Sequence, residues 1–260
     1  MITPQVNGRV IEVVLDAPER LNSLGFDDLE ELAGAIADAA VAVEAGEVGA
    51  LVLRGEGRAF CAGRAISGVD PETDDVIGYL EGRVEAVMRA LSEFPAPTFA
   101  AVQGACLGVG LGLALACDVV YVAERAKLGS PFANLGATLD SGGHWLFTER
   151  LGPHRTLDLI YTAEFMSGRE AVEQGLFSRW VADEELLEFT RERAGRVASG
   201  ARLAFQTSKE LVHQIRDQRV GLWKSMAAEN QAQAELCATD DYREGFASFQ
   251  EKRKPTFTGH

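Results

Sequence analysis

At 260 residues, with 47% apolar and 25% charged residues, the chain has an ordinary globular composition and enough length to bury one full core. Its 39 acidic against 25 basic residues leave a net charge of −14, which argues against nucleic acid and anionic membrane as partners. The four cysteines and four histidines have neither disulfide-scaffold density nor zinc-ligand spacing, so no metal is expected; with no leader-like N-terminus, a reduced cytoplasmic setting is.

In chain order, residues 2–6 and 9–15 read as a hairpin joined by Asn7-Gly8, a pair that suits a type I′ turn. Asp27 with Glu30 predicts a capped helix start, which Leu29, Leu32, Ile36 and Val43 continue at helical spacing. Residues 50–54 form an apolar strand-like run, 68–75 an acidic turn-rich loop, and 79–91 a helix ended by Phe94-Pro-Ala-Pro97. Then come a strand at 98–102, a helix at 107–117, a strand at 119–123, helices at 153–162 and 169–174, and a short strand at 177–181. This alternation predicts an α/β architecture.

From about residue 184 the pattern is helical only. Leu203, Leu211, Val212 and Ile215 mark one helix, Trp223, Met226 and Ala227 a second, and Tyr242, Phe246 and Phe249 a third. The chain therefore divides into a core over 1–200 and a helical region over 201–260, the latter a candidate assembly element. The apolar run 107–122 is broken by glycines and Asp118, so no membrane span is expected. Cys61, Cys106, Cys117 and Cys237 read as small buried residues, and Trp145 reads as core.

Two glycine-rich passages, 55–64 and 103–112, each follow a strand-like run. Glycine permits positive φ and close approach of backbone to a ligand, and the second passage opens a helix whose first N–H groups are unpaired. Two such turns can aim two donors at one oxygen as an oxyanion hole. Gly108-Val-Gly-Leu-Gly-Leu113 lacks the last glycine of a dinucleotide fingerprint, and neither a phosphate loop nor a Gly-x-Ser-x-Gly elbow occurs. The alternative is that these glycines serve only tight turns and close helix–strand packing.

The residues of these turns resemble the crotonase (enoyl-CoA hydratase/isomerase) superfamily. Arg58-Ala-Phe-Cys-Ala-Gly63 is similar to its first oxyanion turn, and Ala101-Val-Gln-Gly104 through Gly108-Val-Gly110 to Leu115-Ala-Cys-Asp118 to its second. Leu21-Asn-Ser-Leu24, Ala133-Asn-Leu-Gly136, Gly142-Gly143, Leu151-Gly152 and the ending from Asp241 to Lys254 fall in order along the rest of the chain. The resemblance implies a ββα spiral (superhelix), a helical C-terminal trimerisation region, and a homotrimer or a hexamer built as a dimer of trimers. It implies an acyl-CoA thioester substrate, no cofactor beyond the coenzyme A of that substrate, and an enolate held by the backbone N–H groups of Arg64 and Val109.

It further implies CoA or acyl contacts from Arg20, Leu21, Arg58, Ala62, Gly63, Gly108, Gly110, Phe132 and His144, the two arginines as phosphate contacts. From the residue alone, His144 reads first as a hydrogen-bonded helix residue and second as lining of the acyl pocket. Phe249 and Lys252 match positions where a neighbouring subunit touches CoA; Lys252 reads equally as a solvated helix end.

The departures are acidic. Where the family's hydratases carry two glutamates this chain has Gly112 and Phe132, and Ala65 stands where an aspartate is usual. One carboxylate remains in the region, Asp140 in Leu139-Asp-Ser-Gly-Gly143, in the slot of the family's isomerase aspartate bases and of a dehalogenase nucleophile. Asp140-Ser-Gly-Gly-His-Trp145 is most similar to the ring-epoxide isomerases of phenylacetyl-CoA. The expected activity is therefore enoyl-CoA or ring-epoxide isomerisation with Asp140 as base. A hydratase, an aspartate-nucleophile enzyme and an inactive acyl-CoA binder are the alternatives, and Asp140 also suits a helix N-cap.

Overall fold

In a computed structural model, which describes residues 1–67, 69–70 and 72–260, the expected loop at 68–75 is described except at Gly68 and Pro71. The elements are β1 (Ile2–Asn7), β2 (Val10–Leu15), α1 (Phe26–Glu44), β3 (Ala50–Gly55), α2 (Val76–Tyr79), α3 (Glu85–Ser92), β4 (Thr98–Val102), β5 (Ala105–Leu107) and α4 (Val109–Ala116). They continue through β6 (Val119–Ala123), β7 (Lys127–Gly129), α5 (Gly143–Thr162), β8 (Met166–Ser167), α6 (Gly168–Glu173), β9 (Arg179–Val181) and α7 (Leu186–Ala198). Three helices close the chain: α8 (Arg202–Gln218), α9 (Leu222–Leu236) and α10 (Asp240–Glu251).

Two ladders organise the body. The larger sheet runs β1-β2-β3-β4-β6-β9, parallel except for the β1–β2 hairpin. A smaller sheet, β5-β7-β8, is extended by single bridges from Cys61 to Cys106 and from Leu24 to Arg64. Successive chain segments thus give one strand to the large sheet and a short one to the small ladder, a spiral of ββα turns. The central strands β2, β3 and β4 are buried along their whole length, as parallel strands covered on both faces must be, which is why they read as mainly apolar runs, interrupted by Glu12 and Arg54.

Several local expectations change. Asn7 pairs with Val10, so the hairpin loop is Gly8-Arg9, and only Gly8 has positive φ (+61°): glycine takes the first central position, the type II′ pattern. Helix α1 starts two residues earlier than a cap at Asp27 would give, because the Asp28 carboxylate accepts the Gly25 N–H at 2.7 Å. The expected helix at 107–117 is preceded by β5, since Leu107 completes the small ladder. Helix α5 begins at Gly143, ten residues before the helix expected at 153, and bends at Gly152, whose φ of +76° interrupts it before Pro153. Trp145 is 41% exposed under the Arg216 guanidinium rather than in the core, and Cys237, unlike the three buried cysteines, is exposed.

β2 also buries a carboxylate. Glu12 accepts from Arg54 on β3 (2.7 Å), from Arg191 on α7 (2.6 and 2.9 Å) and from Asn7 (3.0 Å). Burial pushes its carboxyl up, but hydrogen bonds from Arg191 and Arg54 outweigh burial and hold it below the usual range. The cluster ties α7 to the sheet.

The last three helices differ in character. Lys209 on α8 meets Asp118 at 3.0 Å and donates to the Phe94 carbonyl at 3.0 Å, anchoring α8 on the body. The buried Asp241 carboxylate takes the N–H groups of Thr258 (2.7 Å) and Gly259 (3.0 Å), which folds the C-terminal tail back onto α10. Yet α8 buries no residue, and Phe249, Trp223, Leu222, Val212 and Phe246 are exposed at 85, 78, 66, 60 and 54%. An apolar groove of about 560 Å³ between these helices is lined by Leu203, Leu236, Tyr242, Phe246, Phe249 and Phe257. Among the described residues, no helix is long and apolar enough to cross a membrane.

Removing the Glu12 carboxylate leaves Arg54 and Arg191 facing each other, so Glu12→Ala is expected to cost about 3–5 kcal/mol in urea unfolding. Because the folded carboxyl is depressed, its contribution is complete above the ordinary carboxylate value and is lost as pH falls through the folded value. The gap between wild type and Glu12→Ala should therefore narrow in acid.

Candidate active site

The first glycine turn descends from β3. Asn22, fully buried in the left-handed region (φ +57°), accepts the Ala17 N–H at 2.9 Å and donates to the carbonyls of Glu56 (3.0 Å) and Ala59 (2.8 Å). A buried amide so fully satisfied holds two loops as one body. Leu24 then pairs across to the turn: its N–H donates to the Gly63 carbonyl at 2.9 Å and its carbonyl accepts the Ala65 N–H at 2.9 Å. The Leu21 carbonyl takes the Ala62 N–H at 2.9 Å. Gly63 has φ +95°, and a Cβ there would lie 2.8 Å from the Leu107 carbonyl and 3.7 Å from the Val109 nitrogen. The two turns meet there.

The second turn supplies the other wall. Gly108 (φ +50°) caps α4, and its carbonyl accepts the Gly112 N–H, so Val109 is the first helical residue. Its N–H belongs to the unpaired first turn. Among the described residues neither the Arg64 N–H nor the Val109 N–H has a hydrogen-bond acceptor, and the Gly63 contacts bring the two segments together. Gly110 is helical rather than positive in φ; a Cβ there would fall 2.5 Å from the Cys61 carbonyl. Its need for glycine is close approach to Cys61 and not positive φ. The Cys61 thiol beneath it is buried and pushed up to about 12, which makes it inert packing.

Asp140 reaches the same wall from the segment before α5. The turn from Asp140 to Gly143 has positive φ at Ser141 (+49°) and Gly142 (+71°) and closes with the Gly143 N–H on the Asp140 carbonyl at 2.8 Å. Gly142, not Asp140, holds the N-cap position of α5, and no side chain caps that helix, so the N-cap reading of Asp140 is not realised. Ser141 packs on α4 at Gly112, where a Cβ would lie 2.5 Å from the Ser141 Cβ. The Asp140 carboxylate accepts from Ser141 Oγ at 2.8 Å. Burial pushes its carboxyl above the usual range, against the Ser141 hydrogen bond and the Arg64 charge, which hold it down.

Gly112 explains its own departure from the hydratase pattern. A side chain at that position would occupy the space in which Ser141 now sits. Phe132 at the other substituted position packs over Gly108, its ring 3.3 Å from where a Cβ would be.

The other candidate residues are distributed differently. Arg20 is held by Asp28 at 2.8 Å, and Arg58 is exposed on the first turn. His144, exposed on the first turn of α5, pairs with the Thr138 hydroxyl at 3.1 Å. Phe249 and Lys252 lie on and just beyond α10, and among the described residues no hydrogen bond joins them to the glycine turns. Sequence reasoning missed Asn22 in its organising role, and also Asp74 and Tyr79. The side chain of Arg64 pairs with Asp74 through both terminal nitrogens (2.8 and 2.5 Å) and stacks 4.2 Å from the ring centroid of Tyr79. The Tyr79 hydroxyl donates to the Leu24 carbonyl at 2.9 Å. Only the acidic character of residues 70–75 hinted at a partner for Arg64.

Against known proteins, residues 5–260 match the family model described as enoyl-CoA hydratase/isomerase. A probable enoyl-CoA hydratase of Rhodobacter capsulatus is 35% identical over 251 residues, covering 95% of this chain and 93% of that protein. The 1,2-epoxyphenylacetyl-CoA isomerase of Escherichia coli is 32% identical over 263 residues, covering 99% and 98%. A solved enoyl-CoA hydratase structure from Bacillus anthracis superposes with a TM-score of 0.90 at 30% identity, covering 100% and 99%.

The contact of Ser141 with Gly112 gives a direct test. Gly112→Ala should overpack this junction and lower stability by about 1–3 kcal/mol in thermal or urea unfolding. Gly34→Ala, where nothing lies within 4 Å on an exposed helix face, should be neutral or stabilising. Equal stabilities for the two variants would contradict the packing described.

Proposed function

The chain belongs to the enoyl-CoA hydratase/isomerase family, and within it we propose an isomerase of enoyl-CoA or ring-epoxide acyl-CoA thioesters that uses Asp140 as its single base. One observation carries this reading: Ser141 fills the space a hydratase glutamate would need at residue 112 on α4, and its hydroxyl donates to the carboxylate of the adjoining Asp140. In this mechanism the thioester oxygen sits between the N–H groups of Arg64 and Val109. Asp140 removes a proton from the acyl chain, the two N–H groups hold the developing enolate oxygen, and the same carboxylic acid returns the proton at another carbon. A proton that leaves and returns needs only one base, and no cofactor beyond the coenzyme A of the substrate.

The raised carboxyl suits this role, because a base nearer to neutrality holds an abstracted proton better. For the assembly, we propose a homotrimer or a dimer of trimers formed through residues 201–260. Phe249 and Lys252 then reach a neighbouring subunit's CoA; the exposed apolar side chains of α8, α9 and α10 support this. Four free thiols suit a reducing cytoplasm. Hydration is the second reading, favoured by the hydratase names of relatives such as those from Rhodobacter capsulatus and Rhizobium meliloti.

The test incubates a panel of acyl-CoAs with the enzyme in heavy water and follows deuterium uptake and double-bond position by mass spectrometry and NMR. Wild type should exchange substrate protons and move the double bond, and Asp140→Asn should lose about a hundredfold to ten-thousandfold of that rate. Ready hydration with no double-bond shift would favour the second reading. The acid limb of kcat/KM should lie above the ordinary aspartate value of about 3.9, with activity rising as pH rises through it, since only the ionised carboxylate accepts a proton.

A further inference from the structure

We propose that Asp74 and Tyr79 are positioning residues for the Arg64 N–H: through the Arg64 side chain they hold the peptide that carries this donor. The inference rests on the reading of that N–H as one of the two enolate donors. Arg64 then serves the site with its backbone, and its side chain is the handle that aims it.

The backbone is tied on one side. Leu24 and Arg64 form a single parallel bridge, in which the Leu24 N–H donates to the Gly63 carbonyl and the Leu24 carbonyl accepts the Ala65 N–H, both at 2.9 Å. In such a bridge the middle residue's own N–H points away from the partner segment. Accordingly, the Arg64 N–H has no acceptor among the described residues. A single bridge outside the strands is a short anchor for a donor, and Ala65 brings no polar side chain to add a second tie.

The side chain supplies that tie. Both terminal nitrogens of Arg64 donate to Asp74, at 2.8 and 2.5 Å, and the guanidinium carbon lies 4.2 Å from the Tyr79 ring centroid. The Arg64 and Asp74 side chains are only 19 and 12% exposed, so this is no solvated surface pair of little worth. Asp74 and Tyr79 flank the short helix α2, whose N-cap Asp75 accepts the Gly78 N–H at 2.8 Å. Tyr79 is fixed further by Phe26, packed edge-on at 5.3 Å, and its hydroxyl donates to the Leu24 carbonyl at 2.9 Å. Leu24, Arg64 and Tyr79 thus close a ring of contacts around one peptide. Bidentate pairing combined with stacking is what arginine, not lysine, provides. An oxyanion donor works because its direction is set before the charge develops. A misplacement of about 1 Å can cost about a hundredfold in rate, so a side chain can control the reaction through the peptide it belongs to.

The test reads the donor directly, in full-length enzyme saturated with butyryl-CoA that carries carbon-13 at its thioester carbonyl. Isotope-edited infrared spectra report how strongly hydrogen bonds polarise that carbonyl. In wild type the band should fall in frequency relative to free butyryl-CoA. It should move back towards the free value in Asp74→Ala and in Arg64→Ala, which keeps the backbone N–H, and less far in Tyr79→Phe, which keeps the ring. In Asp74→Ala and Arg64→Ala, kcat for proton exchange should fall about tenfold or more with KM within about twofold, because the donor acts most strongly in the transition state. Arg64→Lys should lie between wild type and Arg64→Ala. Arg89→Ala removes an arginine that pairs with Glu85 and Glu93 on the exposed face of α3, and it should leave band and kcat unchanged. A wild-type band in both Asp74→Ala and Arg64→Ala, whatever their stability, overturns the proposal while the Arg64 donor stands. No band shift in wild type removes the donor, and the proposal with it. If the bands move as expected while wild type exchanges no substrate protons in the panel, the positioning stands and the isomerase reading fails.

Discussion

Everything at the candidate site depends on backbone segments that approach more closely than side chains would allow. Gly63 brings the first turn to the carbonyl of Leu107 and the nitrogen of Val109, Gly110 sets α4 against Cys61, and Gly112 admits Ser141. At each of these positions a single methyl group would meet backbone or a neighbouring Cβ at 2.5–2.8 Å, where something must move. The reward is position. Two N–H groups with no acceptor among the described residues lie on segments that Gly63 brings together.

The charge pattern follows from that geometry. An acidic chain that brings a carboxylate to a partly buried wall must keep it from being either neutralised or captured. At the glycine turns Arg64 is itself held, its terminal nitrogens by Asp74 and its face by Tyr79. A different solution operates in the large sheet, where Glu12 is fully buried and receives two guanidiniums directly, which depress its carboxyl and fix it. There the arginines hold a carboxylate ionised as a structural anchor.

The helices beyond Ala198 complete the body without finishing themselves. Lys209 and the Asp241 carboxylate pin them by charge-assisted hydrogen bonds, yet their large apolar residues remain in water. Apolar surface of this extent on adjacent helices supports an association face. It fits the proposed assembly, in which the residues expected to touch CoA from α10 serve a neighbouring subunit.

Much of this was legible in the chain itself. The apolar runs at 50–54, 98–102 and 119–123 identified strands because buried parallel strands tolerate no polar alternation, and the 3.6-residue spacing of Leu29, Leu32 and Ile36 identified α1. The glycine turns and the lone aspartate were visible as residue types in order, which is how the family was recognised. The sequence could not give why Gly110 and Gly112 are glycines, since both are helical and their constraint comes from Cys61 and Ser141, distant in the chain. It could not foresee the start of α5, because glycines at 142 and 143 read as a loop until packing decides. Nor could it pair Arg64 with Asp74 and Tyr79, or leave Trp145 outside the core. Local spacing fixes which elements form; which side chains meet is decided only when the spiral closes, because those contacts join residues with no periodic relation in sequence.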